Sequence, residues 1–122
     1  RVRCKPDNLQ LIVAKQSAKK AQGDLNFKEG RLEQAVTSYR EALREEAAGD
    51  AELSATIYSN LAATYAKKGD HAKAVQEADE AIKLRPDWAK GHSRKGLSLL
   101  SLGRDAEAQS CYIAAVKSDP VT

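Results

Sequence analysis

Lys90 and Arg94, in the stretch DWAKGHSRKG, stand four residues apart in an otherwise strongly helix-forming sequence. On a helix this spacing stacks two cations on one face, at a cost of about 0.2–0.5 kcal/mol. Gly91 and Gly96 already weaken the same segment. Unrelieved repulsion has no structural benefit, so the pair points to an anion supplied from outside. Lys20 and Asp24 share the spacing with opposite charges; they read either as a solvated ion pair or as part of the same site. Asn60 is a poor helix-interior residue, which favours a side-chain role for it. Cations and an amide donor are the groups that hold carboxylates through charge-assisted hydrogen bonds.

Other chemistry finds no residues to carry it. His71 and His92 are isolated and expected to pack or face solvent, and Cys4 and Cys111 are a distant pair without metal-ligand spacing. Cys111, beside Tyr112, is expected as a small packing residue. There is no glycine-rich phosphate loop, nucleophile elbow or catalytic carboxylate pair, so the chain is expected to be no enzyme and to need no cofactor or metal. A net charge of +3, with one Phe, one Trp and four Tyr, argues against a nucleic-acid partner. No apolar run approaches a membrane span and no secretory signal opens the chain, so a membrane partner is not expected. The cysteine usage suits a reducing cytoplasm. A chain that begins at Arg1 and has no Met reads as a piece of a longer protein.

The elements that position these residues emerge from self-comparison. Gly23, Ala62 and Gly96 are 39 and then 34 residues apart. The same offsets relate Gly30, Gly69 and Gly103; Ala35, Ala74 and Ala108; Tyr39, Ala78 and Tyr112; and Ala42, Ala81 and Ala115. The pattern predicts a helical hairpin used three times. Small residues at Gly23, Ala62 and Gly96 let the first helix approach its partner, and Gly30, Gly69 and Gly103 end it. Pro86 and Pro120 stop the second helix. Helices are expected near 8–29, 32–47, 51–67, 71–84, 87–101 and 105–117. Asp7 or Asn8 is expected to cap the first and Asp50 the third, after a longer turn at Gly49-Asp50. Trp88 is expected to pack on the preceding hairpin.

These columns resemble the tetratricopeptide repeat, whose unit is 34 residues, from about Gln16 to Pro120. The resemblance implies an all-α fold of three hairpins stacked in a right-handed superhelix, with an extended first helix and no clear C-terminal capping helix. Residues 1–15 are expected as an extension of the first helix and 16–122 as a three-repeat domain, divided at about 16–49, 55–88 and 89–122. First helices of such hairpins line a concave surface. The register turns Lys20, Asp24, Asn60, Lys90 and Arg94 inward together.

That set is similar to the carboxylate clamp of co-chaperone tetratricopeptide domains, and the words YSNLAATYAKKGD and RPDWAKGHSRKG resemble the first such domain of heat-shock organising co-chaperones. The resemblance implies an adaptor that binds the acidic Glu-Glu-Val-Asp tail of a cytosolic heat-shock chaperone. Lys20, Asn60, Lys90 and Arg94 would hold its terminal carboxylate and last Asp side chain. Asp24 departs from the family, which has Asn there: an ionised Asp only accepts hydrogen bonds. It is expected to weaken the clamp, or to fold onto Lys20, Lys28 or Arg94 and close the site. Two alternatives stay open: a scaffold for another protein or for itself, and the targeting module of a larger enzyme. Leu99, Leu100, Ile113 and Val116 are expected to leave apolar surface on the last hairpin, through which the chain would self-associate.

Overall fold

The computed structural model describes residues 4–44 and 51–118. Six helices fill them: α1 (Cys4–Lys28), α2 (Leu32–Leu43), α3 (Ala51–Lys68), α4 (His71–Leu84), α5 (Ala89–Ser101) and α6 (Asp105–Ser118). Three of the turns between them are the same turn. Gly30, Gly69 and Gly103 adopt φ of 81°, 89° and 78°, the left-handed region that favours glycine. In each, the glycine N–H bonds back to the third carbonyl before it: Phe27, Ala66 or Leu100, at 3.0 Å. The next N–H bonds to the fifth carbonyl before it, as in Arg31 to Asn26 at 2.8 Å, Asp70 to Tyr65 at 2.8 Å and Arg104 to Leu99 at 2.9 Å. This pair of bonds satisfies carbonyls that the ending helix leaves orphaned. The chain then reverses at once, so α1 packs on α2, α3 on α4 and α5 on α6.

Close approach within a hairpin depends on matched residue sizes. A Cβ at Gly23 would come within 2.6 Å of the Tyr39 ring, and one at Gly96 within 3.1 Å of Tyr112. In the middle hairpin the same two columns hold Ala62 and Ala78, both buried. The core behind them joins Ala35, Tyr39 and Ala42 to Ile57, Leu61, Tyr65 and Ala74. Full burial of a large apolar side chain such as Ile57 or Leu61 is worth about 1.5–3 kcal/mol. Leu99, Ala108 and Cys111 form a smaller cluster in the third hairpin. The Glu77 carboxylate is buried beneath α2, where the Arg40 guanidinium neutralises it and also donates to Tyr65 Oη at 3.3 Å. Across the stack α1 touches α3 and α3 touches α5. The odd-numbered helices therefore line one continuous face.

Several element ends differ from the sequence expectation. Helix α1 begins at Cys4, so Asp7 and Asn8 lie within it and do not cap it. Pro6 is tolerated there because the first turn's N–H groups have no intrahelical partner in any case. Helix α2 stops at Leu43 with Arg44 as its C-cap, short of the expected 47. Helix α5 starts at Ala89, with Trp88 as the N-cap under the Arg85 guanidinium, 4.8 Å from the ring centroid. Helix α4, by contrast, spans the expected 71–84 and ends two residues before Pro86. Asp70 caps α4 by accepting from the Lys73 N–H at 3.3 Å. The turn at Gly49-Asp50 and the stop at Pro120 lie outside the described residues.

Candidate functional site

Helical periodicity sets one stripe on each inward-facing helix. On α1 the stripe is Lys20, Asp24 and Phe27; on α3 it is Asn60 and Ala63; on α5 it is Lys90, Ser93, Arg94 and Leu97. The stripes meet in two adjoining clefts. One, of about 190 Å³, is lined by Asp24, Phe27, Tyr39, Asn60, Ala63 and Arg94. The other, of about 210 Å³, is lined by Lys90, Ser93, Arg94 and Leu97. Arg94 is the wall the two clefts share.

Asp24 sits at the centre of a hydrogen-bond network on the α1 side. Its Oδ2 accepts from Lys20 Nζ at 2.8 Å, and its Oδ1 accepts from Asn60 Nδ2 at 2.9 Å and from the Tyr39 hydroxyl. Tyr39 reaches it from α2 by lying against Gly23, where a side chain would block the ring. Burial, reinforced by the Asp24 carboxylate, pushes the Tyr39 hydroxyl well above its ordinary pKa and keeps it a proton donor. Of the candidate partners read from sequence, Asp24 therefore takes Lys20 and leaves Lys28 and Arg94 aside.

The α5 side is balanced differently. Arg94 donates from Nε to Ser59 Oγ at 3.2 Å and has no acidic partner among the described residues. Burial lowers its pKa, but a guanidinium stays charged at neutral pH. Lys90 is exposed, and among the described residues no carboxylate pairs with it. Lys95, on another face of the same helix, pairs with Asp79 at 2.8 Å. Among the described residues the structural cation of this helix thus has an acidic partner, supplied by α4, and the two cations that face the clefts have none.

The structure brings Lys20, Asp24 and Asn60 into direct contact, places Arg94 in their cleft, and sets Lys90 one cleft further along. Tyr39, Ser59 and Phe27 were not anticipated as site residues. Tyr39 did carry a signal: a large residue standing in a column that holds Ala at 78, opposite a glycine at 23. His92 lies apart, with Nε2 2.7 Å from the Pro86 carbonyl.

Comparison with known proteins agrees with this architecture. Models of the tetratricopeptide repeat match residues 16–87 and 89–122. The chain is 37% identical over 100 residues, 82% of its length, to the heat shock protein sti1 homolog of Schizosaccharomyces pombe. It is 35% identical over 101 residues, 83% of its length, to the Hsp70-Hsp90 organizing protein of Triticum aestivum. It spans 16% of the length of each of these relatives. Its fold is similar to the second tetratricopeptide domain of Spaghetti (RPAP3), solved bound to the HSP90 peptide SRMEEVD. That match has a TM-score of 0.82 at 24% identity, over 93% of this chain and 99% of the other.

Proposed function

Since the chain belongs to the tetratricopeptide repeat family, we propose that it is a co-chaperone adaptor that binds the acidic tail, ending Glu-Glu-Val-Asp, of a cytosolic heat-shock chaperone. The observation that carries this reading is the pair of cations, Lys90 and Arg94, that have no acidic partner among the described residues and wall two adjoining clefts on the inward face. Arg94 takes an acidic side chain in a half-buried setting, where a charge-assisted hydrogen bond is strongest. Lys90 adds a second, exposed charge. Asn60 and Asp24, the latter bonded to Lys20, form the opposite wall, and Phe27, Ala63 and Leu97 offer apolar surface for an aliphatic side chain between acidic ones. The names of the heat shock protein sti1 homolog, of the Hsp70-Hsp90 organizing protein and of the neighbour bound to an HSP90 peptide support the choice of ligand.

On this reading the domain catalyses nothing, works in the cytoplasm and tethers whatever it is joined to. Among the described residues no helix is long and apolar enough to cross a membrane. Calorimetric titration with a peptide ending Glu-Glu-Val-Asp tests the proposal against the same peptide with its acidic side chains changed to amides. Saturable binding of the first and loss of the second is expected. Equal affinity for both would remove the basis for an acidic ligand.

A second reading has its own observation. On the last hairpin Ile113 is 50% and Val116 66% exposed, with Leu100 and Leu102 also open, whereas Leu99 is buried. This apolar surface supports self-association through the last hairpin. Sedimentation across a hundredfold concentration range would show a rising mass that Val116→Glu abolishes; a constant monomer mass would end this reading.

A further inference from the structure

We infer that Asp24 is a built-in occupant of the anion seat formed by Lys20, Tyr39 and Asn60, so that the groove reads acidic side chains and not a free chain terminus. This rests on the proposed reading that the groove binds an acidic peptide.

Three observations lead there. First, donors from three helices converge on one carboxylate: Lys20 from α1, Tyr39 from α2 and Asn60 from α3. Convergent donors are what a bound carboxylate needs, and here the chain supplies the carboxylate itself. Second, the seat is not easily vacated. The hydroxyl of Tyr39 has one proton, it goes to Asp24, and the ring is held with 1% exposure against Gly23. A ligand carboxylate entering the seat would have to displace Asp24 from that donor while lying beside its charge. Third, Lys20 and Asp24 cancel in charge, which leaves Arg94 and Lys90 as the uncompensated pair.

The ligand follows from what remains. A carboxylate offers about four acceptor positions; Asp24 has three hydrogen bonds, two on Oδ1 and one on Oδ2. Its side chain is 41% exposed and lines the cleft. Asp24 can therefore accept one further bond, and only from a donor. A peptide N–H or a carboxamide provides one, and a terminal carboxylate does not. The complementary ligand places an acidic side chain on Arg94 and Lys90 with an amide N–H beside Asp24. An acidic segment within a chain satisfies this, as does an acidic end blocked as an amide.

The test compares one peptide ending Glu-Glu-Val-Asp in two forms, free acid and C-terminal carboxamide, by fluorescence titration against the wild-type chain and D24N. The wild type is expected to bind the carboxamide at least as tightly as the free acid. D24N, which replaces an acceptor with a donor, is expected to favour the free acid several-fold. A wild type that prefers the free acid overturns the inference and leaves the acidic-peptide reading standing. Should the wild type bind neither form, that reading falls. The D24N arm then decides the seat alone: a gain of free-acid binding upholds it, and no gain overturns it. If D24N does not fold, the wild-type ratio decides.

Discussion

The two walls of the groove come from the same repeated hairpin but are balanced in opposite ways. On the α1–α3 wall the two charges that face the groove are paired with each other: Lys20 and Asn60 hold Asp24, and Tyr39 supports it from behind. On the α5 wall Arg94 meets only a serine hydroxyl and Lys90 meets no acid among the described residues. A satisfied wall is stable without ligand, whereas an unsatisfied one gains from it. Recognition of an anion is thus concentrated on α5, and the opposite wall shapes what else can enter.

Removing Arg94 should break this contrast most severely. Arg94→Ala is expected to weaken acidic-peptide binding by about 1.5–3 kcal/mol, the usual worth of a hydrogen bond to a charged group. That corresponds to about ten- to a hundredfold in titration. Lys95→Ala, on the same helix, should leave affinity unchanged, because that cation already has Asp79. Equal effects of the two variants would mean that net charge, not the clefts, attracts the ligand.

A second change attacks the satisfied wall from behind. Gly23→Ala forces a Cβ to within 2.6 Å of the Tyr39 ring, whose atoms are buried and cannot easily yield. Overpacking of this kind costs about 1–3 kcal/mol, offset by up to about 1 kcal/mol of improved helix propensity. A lowered midpoint in urea unfolding is expected. Gly96→Ala should be milder, since its nearest approach to Tyr112 is 3.1 Å. A reversed order would show that ring clearance does not set the hairpin spacing.

Lys90→Ala should have a smaller effect on binding than Arg94→Ala. An exposed ion pair is worth about 0.2–1 kcal/mol and is screened by salt. Its contribution should therefore fade between 50 and 500 mM salt, while that of the half-buried Arg94 persists. Titrations at two salt concentrations separate them.

The smallest expected effect is in alkaline stability. Tyr39 keeps its proton in the folded chain above the ordinary value of 10.0 at which an exposed tyrosine loses it. From pH 10 upward the unfolded chain binds fewer protons at this residue than the folded one, so its contribution to stability falls as pH rises. Stability measured from pH 9 to 11 should decline less steeply in Tyr39→Phe than in the wild type. Parallel curves would contradict the tight Tyr39–Asp24 contact.

The repeat made most of the fold legible. Glycines at 30, 69 and 103 could be read as helix ends because that column keeps glycine in all three repeats, as a left-handed helix cap favours, and all three adopt positive φ. Helix beginnings were less legible, since Cys4 starts α1 through a proline that a first turn tolerates. Lys20, Asp24, Asn60 and Arg94 could be brought together from register alone because rigid stacking converts sequence spacing into position. The network around Asp24 could not be read in the same way. It depends on the Tyr39 hydroxyl crossing from α2, a contact of ring length and glycine clearance that no periodicity encodes.

Amide chemical-shift mapping with a Glu-Glu-Val-Asp peptide tests most directly whether the unsatisfied α5 wall reads the ligand. The largest changes are expected at residues 90–97 and at Asn60, and Arg94→Ala should abolish them. Changes centred on Ile113 and Val116, with α5 silent, would contradict the account.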